Sequence, residues 1–248
     1  MSTPIILDCD PGHDDAIAIL LALASPEVEL VGITTVSGNQ TVDKTTANAL
    51  RILELAGRTE VPVYAGADRP ILRERDVAAH VHGESGLDGP ELPPPSQSAA
   101  EFNIWADPEA AERVFSEGRD TTMVGLDVTH RALIKDEHTE RMRGAGKVGK
   151  VVAELMDFYS RFHRRRYPDL DGSPMHDPVC IAHLVDPTLM EVRDALIEVD
   201  CTTGPSWGRT NVDWRGREHF GPPNAKVGVD IDGPRFAELV VERISSLG

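Results

Sequence analysis

The stretch LDCDPGHDDAIAIL, residues 7 to 20, places four carboxylates within eight positions: Asp8, Asp10, Asp14 and Asp15. Like charges at that density repel, so folding them together needs a compensating partner. A helix N-terminus is one such partner, because an aspartate there accepts backbone N–H bonds and faces the positive end of the dipole. That accounts for Asp14 or Asp15 but leaves Asp8 and Asp10, which precede the helix. An EF-hand loop counted from Asp8 needs glycine at its sixth position and glutamate at its twelfth. His13 and Ile19 stand there instead. The remaining partner is a hard divalent cation. Strand alternation points Asp8 and Asp10 the same way. Pro11 and Gly12 allow a tight turn that returns Asp14 and Asp15 toward the strand end. An oxygen-only donor set selects calcium or magnesium over zinc.

The elements that must position these acids follow from periodicity. Residues 4–7, PIIL, form a short apolar run of the buried-strand type. From Asp14 the pattern turns helical and is apolar nearly all round, which predicts a buried helix. Residues 28–36 read as a strand, 42–57 as a helix ending in glycine, and 61–66 as a third strand. Strand and helix in alternation predict an α/β fold: an open, mostly parallel sheet with crossover helices. Such sheets bind ligands at the C-terminal ends of their strands, where the aspartates stand. Residues 67–100 are rich in Gly, Pro and Ser and read as loop. Beyond them a capped helix is expected at 107–118, a strand at 121–129, helices at 146–166 and from 176, and strands at 194–200, 210–215 and 225–232. An amphipathic helix closes the chain. The whole, residues 1–248, reads as a single domain.

A net charge of −16 argues against wrapping nucleic acid, whose phosphates would be repelled, and suits a small ligand held through a cation. Cys9, Cys180 and Cys201 fit no disulfide framework or zinc spacing; they read as small buried hydrophobes in a reducing compartment. No window offers the roughly 18 apolar residues of a membrane span, and MSTPIILD lacks a signal-peptide pattern. The expected location is the cytoplasm. Arg164, Arg165 and Arg166 read as a solvated helix end, Trp105, Trp207 and Trp214 as packing residues, and His130 as structural.

Five segments in order, DCDPGHDDA, TTVSGN, VHGESGLDG, EFNIWADPEAA and GSPMHDPVCIAHL, resemble the signature segments of the nucleoside hydrolases, inosine-uridine preferring type. The resemblance implies a Rossmann-like nucleoside hydrolase fold and calcium-dependent cleavage of the N-glycosidic bond of ribonucleosides to ribose and free base. It implies that Asp10, Asp15 and Asp177 ligate calcium and that Asp10 also deprotonates a calcium-bound water. Asp14, Asn39, Glu101 and Asn103 match residues that hold the ribose hydroxyls. His82 and His176 match residues near the base, with His176 the better candidate for protonating the leaving group. The chemistry agrees: cleavage builds positive charge on the sugar, which carboxylates stabilise. A departing base anion benefits from a proton-donating histidine. The implied partner is a ribonucleoside, with no nucleic acid and no membrane, and the implied assembly is a homo-oligomer, dimer or tetramer.

The chain departs from the family pattern where PPPSQSAA runs directly into EFNIWADPEAA. Strings ending in Gly-Pro-Leu-Thr-Asn and Met-Gly-Gly are missing between them, a shortfall of about two strand–helix units, on the order of 60 residues. By the resemblance, the first of those strands would neighbour the strand that leads to Asp10, whose edge must then find other cover. Residues 121–129 could pair with residues 4–7, or a second chain could cover the edge. Two alternatives to an active hydrolase follow: a catalytically silent relative that binds metal or ribosides, and, more weakly, a metal-dependent phosphohydrolase built on Asp8 and Asp10.

Overall fold

The computed structural model describes residues 2–87, 102–117, 120–202, 206–214 and 221–248. In chain order the first part comprises β1 (Thr3–Cys9), α1 (His13–Ala24), β2 (Val28–Thr35), α2 (Val42–Leu55), β3 (Val63–Ala65) and α3 (Ala79–His82). Next come α4 (Phe102–Ala106), α5 (Pro108–Ser116), β4 (Thr122–Met123), α6 (Leu126–Thr129), β5 (Leu133–Ile134), α7 (Asp136–Arg143) and α8 (Gly146–Arg166). The last part holds β6 (Ser173–Pro174), α9 (Asp177–Val185), β7 (Met190–Val199), β8 (Thr210–Asp213), β9 (Ala225–Ile231) and α10 (Gly233–Ser245).

The α/β class holds. β1, β2 and β3 form a parallel sheet in that order. A second sheet runs β4-β9-β7-β8, with β4 parallel to β9 and the other pairings antiparallel. β5 and β6 make a short antiparallel pair. The all-round apolar pattern of α1 has the expected consequence: every residue from His13 to Ala22 is buried. α1 packs against α2, α8, α9 and α10, so the core forms around this helix. A smaller core lies between α5 and the second sheet, around Phe115, Ile197 and Val227.

Only one face of the parallel sheet is covered among the described residues. Ile5, Leu7 and Cys9 turn toward the core. Ile6 (65 % exposed), Tyr64 (61 %) and the bulged Val31 (43 %) do not. Parallel sheets ordinarily bury both faces, so this surface and the β1 edge beside it lack covering elements among the described residues.

Several expectations change. Residues 121–129 are not one strand: β4 stops after two residues and α6 begins behind Gly125. β4 pairs with β9, at Thr122↔Lys226 and Met123↔Val227, not with β1. The helix α7 was invisible in the sequence; the N–H of Lys135 donates to Nδ1 of His138 (3.1 Å), a reciprocal cap from a histidine where glutamate or glutamine is usual. Cys180 is exposed and Cys9 and Cys201 are half-buried. Trp214 is 51 % exposed. Trp207 does pack: its indole N–H donates to the carbonyl of Trp105 (2.8 Å), and the Arg73 guanidinium lies 3.6 Å over its ring.

Candidate active site

The site forms where β1 ends. Asp10 lies just past the strand and is buried, whereas Asp8 sits on the outer face and accepts from the Thr34 hydroxyl at 2.8 Å. The expected common direction of Asp8 and Asp10 therefore fails: regular alternation ends at Cys9, and the chain turns inward. No Asp8/Asp10 pair of the kind the phosphohydrolase reading needs is formed.

Asp15 serves as the cap of α1. Its carboxylate accepts from the backbone N–H of Gly12 (2.9 Å) and of Asp10 (3.3 Å), and from Nδ2 of Asn39 (3.0 Å). Asn39 reaches both acids, since its backbone N–H donates to Oδ2 of Asp10 at 2.6 Å. Close approach sets the glycines here. A Cβ on Gly12 would strike the His82 ring and Nδ2 of Asn39, and one on Gly38 would strike the Asp10 carboxylate. Behind the turn, Nδ2 of Asn48 ties the carbonyls of Pro11 (3.0 Å) and Ser85 (2.7 Å), joining the first loop to the segment that bears His82.

The chain's two halves meet at this point. Asp177 opens α9, and carboxylate oxygens of Asp14, Asp15 and Asp177 lie within 4.8 Å of one another. Burial pushes Asp15 up to about 7, with the charge of Asp14 adding to the effect. Burial followed by the charges of Asp15, Asp14 and Asp10 drives Asp177 well above the usual carboxylate range. Burial acts on Asp14 too, but the imidazoles of His82 and His176 outweigh it with help from a backbone N–H, and its carboxyl stays below the usual range. Three converging oxygen donors with unrelieved repulsion suit a hard divalent cation, and this triad holds Asp14 in the place where the family resemblance implies Asp10.

An imidazole-rich wall stands beside the acids. His13 is fully buried; its ring stacks on Phe158 (4.9 Å) and Tyr159 (5.9 Å), and its Nδ1 lies 3.3 Å from Nδ1 of His82. Burial lowers His82 and His163 to about 4. His176 is half-buried and its Nδ1 lies 2.8 Å from the Thr129 hydroxyl at the end of α6. His130, read as structural, sits with its ring 5.8 Å from that of His176.

Of the sequence-predicted site residues, the structure joins Asp10, Asp14, Asp15, Asn39, His82, His176 and Asp177 through these contacts. Asn103 is exposed on α4, which packs on α5, and is not among the residues these contacts join. Glu101 lies outside the described residues. Sequence reasoning missed Tyr159, Thr129 and His163. Tyr159 and His163 lie four residues apart on one face of α8, the spacing of an inward row; Thr129 was hidden by the strand reading of 121–129.

The geometry has counterparts among known proteins. A sequence model of the family described as inosine-uridine preferring nucleoside hydrolase matches residues 5–100 and 95–238. The pyrimidine-specific ribonucleoside hydrolase RihA of Citrobacter koseri is 40% identical over 312 positions, covering 99% of each chain. RihA of a Shewanella species is 41% identical over 309 positions, covering 99% of this chain and 97% of its own. Among solved structures, a purine-preferring ribonucleoside hydrolase from Gardnerella vaginalis superposes with a TM-score of 0.88 at 31% identity, covering 99% of both chains. The plant nucleoside hydrolase PpNRh1 gives 0.87 at 29% identity, covering 99% of this chain and 100% of that one. An alignment of 312 positions against 248 residues leaves at least 64 positions, 312 less 248, that no residue of this chain occupies. The two matched stretches meet at residues 95–100.

Proposed function

The chain belongs to the inosine-uridine preferring nucleoside hydrolase family, and from that premise we propose that it hydrolyses the N-glycosidic bond of ribonucleosides, releasing ribose and free base. The observation that carries this reading is the meeting of Asp14 and Asp15 with Asp177, from opposite halves of the chain, beside His176.

Asp10, Asp15 and Asp177 would hold the cation; the all-oxygen set suits calcium or magnesium, and the family resemblance implies calcium. When bound, that ion supplies positive charge that orients a water and makes it more acidic. The side chains do the rest. Asp10, steadied through Oδ2 by the Asn39 N–H, accepts the proton of the attacking water. Asp14 and Asn39 hold ribose hydroxyls; for Glu101 and Asn103 the same role rests on the family resemblance alone. The carboxylates stabilise the positive charge that develops on the sugar as the bond to the base breaks. His82 lies beside the base. For His176, a Thr129 hydroxyl donating to Nδ1 leaves the ring proton on Nε2, from which it passes to the departing base.

The RihA relatives point to uridine and cytidine as substrates, and the purine-preferring structure makes inosine the comparison. The test is release of free ribose from each, with and without calcium, by the wild type and by Asp10→Ala. The wild type should release ribose only with the cation, and Asp10→Ala should neither turn over nor bind calcium as tightly. Unchanged turnover in Asp10→Ala would defeat the mechanism. One observation favours a second reading, a silent relative that binds metal and ribosides: among the described residues, the strand that leads to Asp10 has an uncovered edge and face. Folded protein that binds ribose and calcium but releases no ribose from any nucleoside would establish that second reading.

A further inference from the structure

Three carboxylates crowd together, yet one of them is held differently. Tyr159 on α8 is 2 % exposed, and its hydroxyl donates to Oδ2 of Asp14 at 3.2 Å. The phenol ring is itself wedged: the His163 ring lies tilted at 4.2 Å, His13 stacks at 5.9 Å and His82 lies tilted at 6.1 Å. Rotation of Tyr159 away from Asp14 would need those rings to move in a packed interior. One oxygen of Asp14 thus carries a hydrogen bond whose loss would leave a buried hydroxyl unpartnered, which holds the carboxylate in one orientation. Asp15 is held instead by two backbone N–H groups of the acidic turn and by the side-chain amide of Asn39, from the segment after β2.

We propose that Tyr159 is a positioning residue: it fixes the rotamer of the Asp14 carboxylate and so assigns Asp14 to the ribose hydroxyls, leaving the cation to its neighbours. The inference deepens the proposed function and rests on it for the identity of the sugar. Burial and the nearby charge of Asp14 keep the phenol protonated, consistent with a donor.

Tyr159→Phe keeps the ring and removes the donor. Calorimetric binding of ribose and of calcium to the full chain tests the idea without depending on turnover, so a failure of the hydrolase reading stays distinguishable. Expected for Tyr159→Phe is a loss of ribose affinity of about tenfold, equivalent to ~1.4 kcal/mol and near the low end for a hydrogen bond to a charged acceptor. Calcium affinity should be unchanged. In an Asp14→Ala background the same substitution should cost ribose binding nothing further, the non-additivity expected of residues acting through one another. If nucleosides are turned over, KM should rise with little change in kcat. Ribose affinity equal to wild type, a matching loss of calcium affinity, or an additive penalty in the Asp14→Ala background would each overturn the proposal. Should Tyr159→Phe fail to fold, Asp14→Asn decides: ribose affinity reduced with calcium affinity kept supports the assignment, and the reverse refutes it.

Discussion

Asp15→Asn removes one charge from the acidic cluster while keeping its shape, and its consequences can be worked from the geometry. Asp15 has two carboxylate neighbours, Asp14 and Asp177, with oxygens within 4.8 Å. At an effective dielectric of about 20, charges at that separation repel by ~3 kcal/mol per pair. Above pH 7, where a carboxyl pushed up to about 7 is ionised, the substitution relieves the repulsion with Asp14. Against this stands the amide. Three donors converge on the Asp15 oxygens, from Asp10, Gly12 and Asn39, so the new NH2 must confront at least one of them, at ~1–3 kcal/mol. Without a cation, then, the variant should be at least as stable as the wild type. With calcium at a hundred times its Kd the wild type should gain ~2.7 kcal/mol, and the variant, short of a ligand, much less. The order of stability should therefore invert on adding the ion. Urea denaturation at pH 8, with chelator and then with calcium, reads both halves. A variant clearly less stable than the wild type in chelator, and stabilised by calcium as much as the wild type, would refute the reasoning.

Other outcomes follow from the same contacts. His176→Ala should slow cleavage of natural ribonucleosides far more than of a nitrophenyl riboside, whose leaving group needs no proton; equal slowing of both, in steady-state assays, would remove the proton-donor role. Leu20→Ala, at a fully buried position of α1, should cost about 3 kcal/mol, whereas Ile6→Ala, 65 % exposed on the outer sheet face, should cost less than about 1 kcal/mol, as urea midpoints would show; a large loss at Ile6 would mean that the face is covered. Burial lowers His163 to about 4 from an ordinary 6.5. The unfolded chain takes up that proton first, so stability is full above pH 6.5 and drains away as pH falls toward 4. Between pH 7.5 and 5 this one group accounts for ~2 kcal/mol, and His163→Gln should flatten the fall by that amount in denaturation measured at both values.

The first three strands and two helices were legible because their cause is local. Apolar runs of strand length, the helical period from Asp14, and a glycine after residue 56 each act within a few residues. The acidic cluster was legible for the same reason: Asp10, Asp14 and Asp15 are close in sequence, and a turn can only bring them together. The third acid was not. Nothing near Asp177 says that it faces Asp15; the packing of α9 on α1 brings it there, and the family resemblance stood in for that information. Tertiary structure alone decided that Asp8 faces away from Asp10, that residues 126–129 coil into a helix, and that β4 lies beside β9. It also decided that Tyr159 grips Asp14 across 145 residues of sequence. Charge, periodicity and turn chemistry are properties of neighbouring residues and can be read in one dimension. Which oxygen meets which donor depends on how helices pack, and packing is set by the whole chain at once.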